Sequence, residues 1–188
     1  MKAFINGLSI FRIGAAFALV PLMFEQLWGA ALILFSLAAA SDFFDGWLAR
    51  KFKATSKLGG VLDHMGDKFL MTIGMVIAML AVQTPLVISL VITMIIRDLY
   101  ISGLREFMGS QKMELPVDNL GKIKTAAQLV ALFAFFGFFY IYMNDISIGA
   151  HSAALYAALG LLALAAALSV LSAARYTLKA VQKIKKGK

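Results

Sequence analysis

The chain is predicted to be an all-α membrane protein, with six transmembrane helices preceded by a short N-terminal amphipathic segment. Three observations carry that expectation. First, 61% of its residues are hydrophobic and 15% are charged, where a soluble domain carries roughly 25% charged residues; the mean hydropathy is +0.85. Second, its 188 residues divide into apolar stretches close to the ~20 residues that cross a bilayer core as a helix. Third, the polar breaks between those stretches alternate between basic and non-basic. A water-soluble domain and a disordered chain are excluded by the composition. The absence of cysteine excludes a disulfide scaffold, a thiolate metal site and a cysteine nucleophile.

The elements follow in order. Lys2 opens an apolar run that Arg12 interrupts, with no clear small-x-small cleavage site after it. It is therefore expected to be retained as a short amphipathic lead into the first span, not removed as a signal peptide. The spans are expected at about 10–27, 29–51, 59–82, 85–108, 119–142 and 150–174. Breaks fall at 26–29, at 53–57, at Gln83–Pro85, in 109–118 and around 144–149. The last span is rich in alanine, from Ala153 to Ala167, which favours close helix contact. No internal repeat is visible, and residues 1–188 are expected to form one domain with a basic tail at about 175–188.

Basic residues set the expected orientation. The connections near 24–29, 82–86 and 143–151 hold no Lys or Arg, whereas Lys2, Arg50, Lys51, Lys53, Lys57, Lys112 and the C-terminal stretch lie at the opposite ends. The positive-inside rule places both termini in the cytoplasm of a multi-pass protein of the inner membrane. An even number of spans requires the same. The net charge of +8 is thereby read as attraction to anionic headgroups, with no nucleic-acid partner expected.

The stretch from Ser41 to Lys68 is the most informative. Asp42 and Asp45 stand three apart near the end of the second span; Asp63 and Asp67 stand four apart near the start of the third. Those spacings put each pair on one helix face. Asp42 lies about 21 Å along the helix from Trp28, and Asp67 about 22 Å from Val82. Both pairs thus reach the same depth, in the cytoplasmic third of the core, and the short connection makes the two helices antiparallel neighbours. Four converging carboxylates are expected. Each ionised Asp within a span costs about 2.5–3.5 kcal/mol at the centre and less at this depth, and mutual repulsion adds to that. Two hard divalent cations, Mg²⁺ or Mn²⁺, would balance the four charges with oxygen ligands. Paired metals are the usual device for in-line attack at phosphorus. Gly46, Ala49 and Gly59 leave room for a ligand on the same faces, and Arg50 and Lys57 stand at the rim. Taken singly, the small residues read as packing, Arg50 as a positive-inside anchor, and the carboxylates as a cation or proton pathway.

The joint spacing, D-x-x-D-G-x-x-A-R, eight residues, then G-x-x-x-D-x-x-x-D, is filled by Asp42, Asp45, Gly46, Ala49, Arg50, Gly59, Asp63 and Asp67. It resembles the signature of the CDP-alcohol phosphotransferases at every fixed position. Further segments are similar to the phosphatidylglycerophosphate-forming branch of that family: Asn6 to Arg12, Arg97-Asp98, Arg105-Glu106, Gly121 to Thr125, and Gln128. Ile5 stands where proline is frequent, Ser9 where threonine is, and His64 where proline is common after the third Asp. His64 is read as a rim residue.

The resemblance implies a six-helix, usually dimeric membrane enzyme with two divalent metals, Mg²⁺ or Mn²⁺. It would transfer the phosphatidyl group of CDP-diacylglycerol to glycerol 3-phosphate and release CMP. It implies that Asp42, Asp45, Asp63 and Asp67 ligate metal. Asp42, Asp45, Gly46, Ala49, Arg50 and Gly59 would contact the metals or the CDP-diacylglycerol, and Asp67 would take the acceptor's proton. An acceptor that carries phosphate needs a cationic pocket, for which Arg97, Arg105, Lys122 and Lys124 are the candidates. Arg97 lies too deep in the fourth span for a surface anchor. The final span carries no recognisable motif. Rival expectations are the same chemistry with serine, inositol phosphate or phosphatidylglycerol as acceptor, and a cation transporter or channel. One-sided acidic residues without an inverted repeat speak against the last.

Overall fold

Every apolar stretch forms a helix in the computed structural model, which describes residues 2–52, 57–113, 119–146 and 148–186. The helices are α1 (Lys2–Phe24), α2 (Trp28–Phe52), α3 (Lys57–Val82), α4 (Pro85–Ser110), α5 (Asn119–Met143) and α6 (Ile148–Lys186). Among the described residues there is no strand. Five of the helices hold apolar windows long enough to cross a bilayer, and α2 adds a shorter apolar stretch from Trp28 to Asp42. The protein is a multi-pass membrane protein.

Two boundaries differ from expectation. The N-terminal segment is not a separate element; α1 is one helix from Lys2 to Phe24, with Arg12 midway along it. At the other terminus α6 runs 39 residues to Lys186, about 58 Å of helix against a hydrocarbon core of about 30 Å. Charge, not a helix breaker, marked the expected end of this span. No glycine or proline occurs between Arg175 and Lys186, so the helix continues past the apolar stretch.

The chain reverses through short, hydrogen-bonded caps. Gln26, Lys112 and Asp145 take positive φ of 57°, 57° and 52°. In each case the next residue's N–H reaches back five positions: Leu27 to the Leu22 carbonyl, Met113 to Met108, Ile146 to Ile141. This is the Schellman arrangement, with an apolar residue following the left-handed one. Glycine would adopt that φ freely, so these side chains carry about 1–2 kcal/mol of strain each. Between α3 and α4 the cap is tighter: Gln83 is left-handed, Thr84 caps α4 by accepting from the Val87 N–H, and Pro85 begins the helix.

The core lies where α5 meets α2 and α6. Trp28 stacks on Phe139 with ring centroids 4.3 Å apart, and Phe35 contacts Phe133 and Phe136, each at 5.0 Å. Ala158, Leu162, Ala165 and Ala166 of α6 are buried, as close contact through small residues requires. Hydroxyls within the spans largely bond their own helix, as Ser36 does to the Leu32 carbonyl and Thr93 to that of Ser89, which suits an environment without water.

One packing relation was not expected. α2 and α3 touch each other little among the described residues; α1 packs extensively against both. The two acid-bearing helices therefore meet across α1.

Candidate active site

Arg12 comes from that intervening helix. Its side chain is fully buried, and its Nη1 lies 3.1 Å from Asp42 Oδ1, 3.1 Å from Asp63 Oδ1 and 2.7 Å from Asp67 Oδ1. Ser41 stands beside it, with Oγ 3.5 Å from the guanidinium Nε, and is itself held to the Ala38 carbonyl. Gly66 stands at the point of approach. A Cβ there would lie 3.4 Å from both Arg12 Cδ and the Ser9 carbonyl oxygen, so α1 and α3 come together at the turn that carries Asp63 and Asp67.

Three of the four expected carboxylates thus converge. One oxygen from each of Asp42, Asp63 and Asp67 lies within 4.8 Å of the others. The helix backbone of α2 continues through Asp45, Gly46, Ala49 and Arg50, but their side chains, like that of Lys57, lie outside the described residues. Gly59 stands in α3, one turn before Asp63. The donor set suits a hard divalent cation: all ligand atoms are carboxylate oxygens. They already gather around one positive nitrogen, and among the described residues that one guanidinium does not balance three carboxylates. Each of the three is about half exposed, 48–49%, so a ligand can reach them although Arg12 is enclosed.

The expected acceptor residues also come together. A cavity of about 540 Å³ is lined by Arg97, Arg105, Lys122 and Lys124, with Lys68, His64, Asp98 and Gln128. Asp67 lines it as well and so belongs to both the acidic cluster and the cavity. Its five basic residues outnumber its two carboxylates, leaving a net positive space.

The basic residues are not equivalent. Lys124 is buried and pairs with Asp98, its Nζ 2.8 and 3.0 Å from the two carboxylate oxygens. Arg97 donates to Asp98 Oδ1 at 2.8 Å, to the Ser169 carbonyl at 3.1 Å and to Ser172 Oγ at 2.6 Å. Arg105 donates to the Tyr176 hydroxyl at 2.6 Å and lies 5.0 Å over its ring. Lys68 donates to Ser102 Oγ at 2.6 Å. Lys122 is exposed at the cavity's edge. His64 is exposed too, in keeping with a rim position.

Residues 4–172 match the family model for CDP-alcohol phosphatidyltransferase. The chain belongs to the CDP-alcohol phosphatidyltransferase family. The match takes in Arg12, the Asp42–Asp67 signature and all four cationic residues of α4 and α5. Curated relatives of this family member carry the name CDP-diacylglycerol–glycerol-3-phosphate 3-phosphatidyltransferase. One from Cereibacter sphaeroides is 42% identical over 132 residues, which cover 68% of this chain and 60% of the relative. One from Pectobacterium atrosepticum is 34% identical over 132 residues, 68% of this chain and 72% of the relative. One from Escherichia coli K12 is 40% identical over 105 residues, 55% and 58% respectively. The chain therefore spans less than two thirds of the length of the first of these relatives.

Sequence reasoning gave no role to Arg12, Ser172 or Tyr176. Arg12 was noted as the end of the Asn6–Arg12 segment and as a cation inside an apolar run, but was not joined to the carboxylates. Ser169, Ser172 and Tyr176 stand three and four apart in a span otherwise dominated by alanine and leucine, a polar stripe that could have been read as facing something charged.

Proposed function

We propose that this protein transfers the phosphatidyl group of CDP-diacylglycerol to glycerol 3-phosphate, giving phosphatidylglycerophosphate and CMP. The observation that carries the reading is the junction at Asp67, where an acidic cluster suited to divalent cations opens into a cavity with excess positive charge. The names of the relatives supply the two substrates, and the cavity's charge agrees with an acceptor that already bears phosphate.

Asp42, Asp63 and Asp67, with Asp45, would hold two divalent ions, Mg²⁺ or Mn²⁺. Bound there, the ions supply charge neutralisation of the diphosphate and of the departing CMP. Gly46, Ala49, Arg50 and Gly59 would contact the cytidine diphosphate. Arg97, Arg105, Lys122 and Lys124 bind the acceptor phosphate, while Asp98 fixes Arg97 and Lys124 relative to each other. The acceptor's primary hydroxyl then faces Asp67. A carboxylate oxygen of Asp67 takes its proton as the oxygen attacks the phosphorus bearing diacylglycerol, and the bond from that phosphorus to the CMP oxygen breaks. The donor's acyl chains remain in the bilayer.

The basic ends of the helices support an inner-membrane protein with both termini and the site on the cytoplasmic side. Homodimerisation, implied by the family, is part of the same reading.

The test is an assay of CMP release by the detergent-purified protein. CDP-diacylglycerol is offered with glycerol 3-phosphate, inositol phosphate, serine or phosphatidylglycerol in turn. Release only with glycerol 3-phosphate, abolished by EDTA and restored by Mg²⁺ or Mn²⁺, is expected. Turnover preferring another acceptor contradicts the acceptor assignment, and release that survives thorough chelation contradicts the metal assignment.

A further inference from the structure

Resting on that acceptor pocket, we propose that one face of α6, formed by Ser169, Ser172 and Tyr176, sets acceptor affinity by holding Arg97 and Arg105 without cancelling their charge. Their spacing of three and four residues places the three on one side of the helix. All three are buried, at 0%, 0% and 1% exposure. They lie more than seventy residues along the chain from the arginines they contact.

The chemistry of the partners carries the inference. A guanidinium has five N–H donors. Arg97 gives one to the Ser169 carbonyl, one to Ser172 Oγ and one to Asp98, which among the described residues leaves two for a ligand. Two of its three partners are neutral. Arg105 is held by the phenol oxygen and ring face of Tyr176, also neutral. Lys124 differs, because it faces both oxygens of a carboxylate. A carboxylate fixes a cation and also quenches it; a carbonyl, hydroxyl or aromatic face fixes it and leaves its field directed at the cavity. Without the α6 acceptors Arg97 would retain Asp98 as its only polar partner among the described residues and would close onto it.

α5 backs this face. At Gly121 an added Cβ would lie 3.9 Å from Tyr176 and 4.0 Å from Ser172 Oγ, so α5 stands against the same two side chains. Ser169 contributes through its backbone carbonyl, and its own hydroxyl has no partner among the described residues. Its small size lets the α6 backbone come within reach of Arg97. Ser169, Ser172 and Tyr176 are positioning residues: they act on the acceptor through the arginines.

The experiment uses the full-length protein in detergent and follows KM for glycerol 3-phosphate, KM for CDP-diacylglycerol, kcat and the unfolding temperature. Loss of one hydrogen bond to a charged group predicts that Ser172→Ala raises the acceptor KM about tenfold, with donor KM and kcat within about twofold of wild type. Tyr176→Phe, which keeps the ring, is expected to raise the acceptor KM about threefold. Ser172→Thr restores the hydroxyl and should restore the acceptor KM. Ser172→Asp supplies a charged partner instead of a neutral one and should impair the acceptor more than Ser172→Ala does. Arg97→Ala is run in parallel. If it raises the acceptor KM while Ser172→Ala and Tyr176→Phe do not, the role of α6 is wrong and the pocket stands. If Arg97→Ala leaves the acceptor KM unchanged, the pocket reading itself fails. Equal increases for both substrates with a lower unfolding temperature would mark Ser172 as structural and overturn the inference.

Discussion

At Asp67 two differently built regions meet. On one side, Asp42, Asp63 and Asp67 surround one enclosed cation among the described residues, Arg12. On the other, Arg97 and Arg105 are held mostly by neutral groups of α6. The first region has excess negative charge and calls for cations; the second has excess positive charge and calls for an anion. Their construction also differs in range. The acidic region rests on close sequence spacing within α2 and α3, and one residue of α1 ties the two together. The cationic region depends on contacts between α4 and α6, far apart in the chain. The proposed reaction, with a nucleotide diphosphate, its metals and a separate phosphorylated alcohol, would need both side by side.

The sharpest way to break this comparison is at the shared residue. Asp67→Asn removes a cluster oxygen charge and the proposed proton acceptor together. It is expected to reduce kcat by about a thousandfold or more, measured as CMP release, while glycerol 3-phosphate binding, measured by calorimetry, changes only a few fold. Comparable loss of acceptor binding would mean that the two regions do not divide the work.

A smaller effect is expected from Arg97→Ala. Removing a cation that donates to phosphate predicts an increase in the acceptor KM of roughly thirtyfold, and little change for the donor. Equal losses for both substrates, or none, would refute the pocket assignment.

The mildest change concerns Arg12. Arg12→Met leaves three neighbouring carboxylates without their buried counter-charge. The unfolding temperature in EDTA should fall by on the order of 5 °C. Mn²⁺ should then raise it more in the variant than in the wild type, because the ion replaces the missing charge. An unchanged unfolding temperature would show that Arg12 does not hold the cluster together.

The same contrast explains what could be read from sequence. Asp63 and Asp67 share a face because helices repeat every 3.6 residues, and Asp42 was matched to them in depth by counting rise, so their convergence was legible. The helix starts at Pro85 and Asn119 were legible too, each from the onset of apolar residues after a polar break. The wedge of α1 between α2 and α3 was not. Which helices are neighbours is decided by packing, and the short connection suggested direct pairing. Arg12 therefore appeared only as an interruption of an apolar run and the end of the Asn6–Arg12 segment, and metal ions were expected to provide all the compensation. The α6 face was equally hidden, because serine hydroxyls in membrane helices usually bond their own backbone. Ser172 is distinguished only by Arg97 on another helix.

The most direct test measures Mn²⁺ affinity and glycerol 3-phosphate affinity in two variants of the purified protein, Asp63→Asn and Arg97→Ala. The division predicts that Asp63→Asn weakens Mn²⁺ binding and spares glycerol 3-phosphate, and that Arg97→Ala does the reverse. Loss of both ligands in each variant, or of neither, would contradict it.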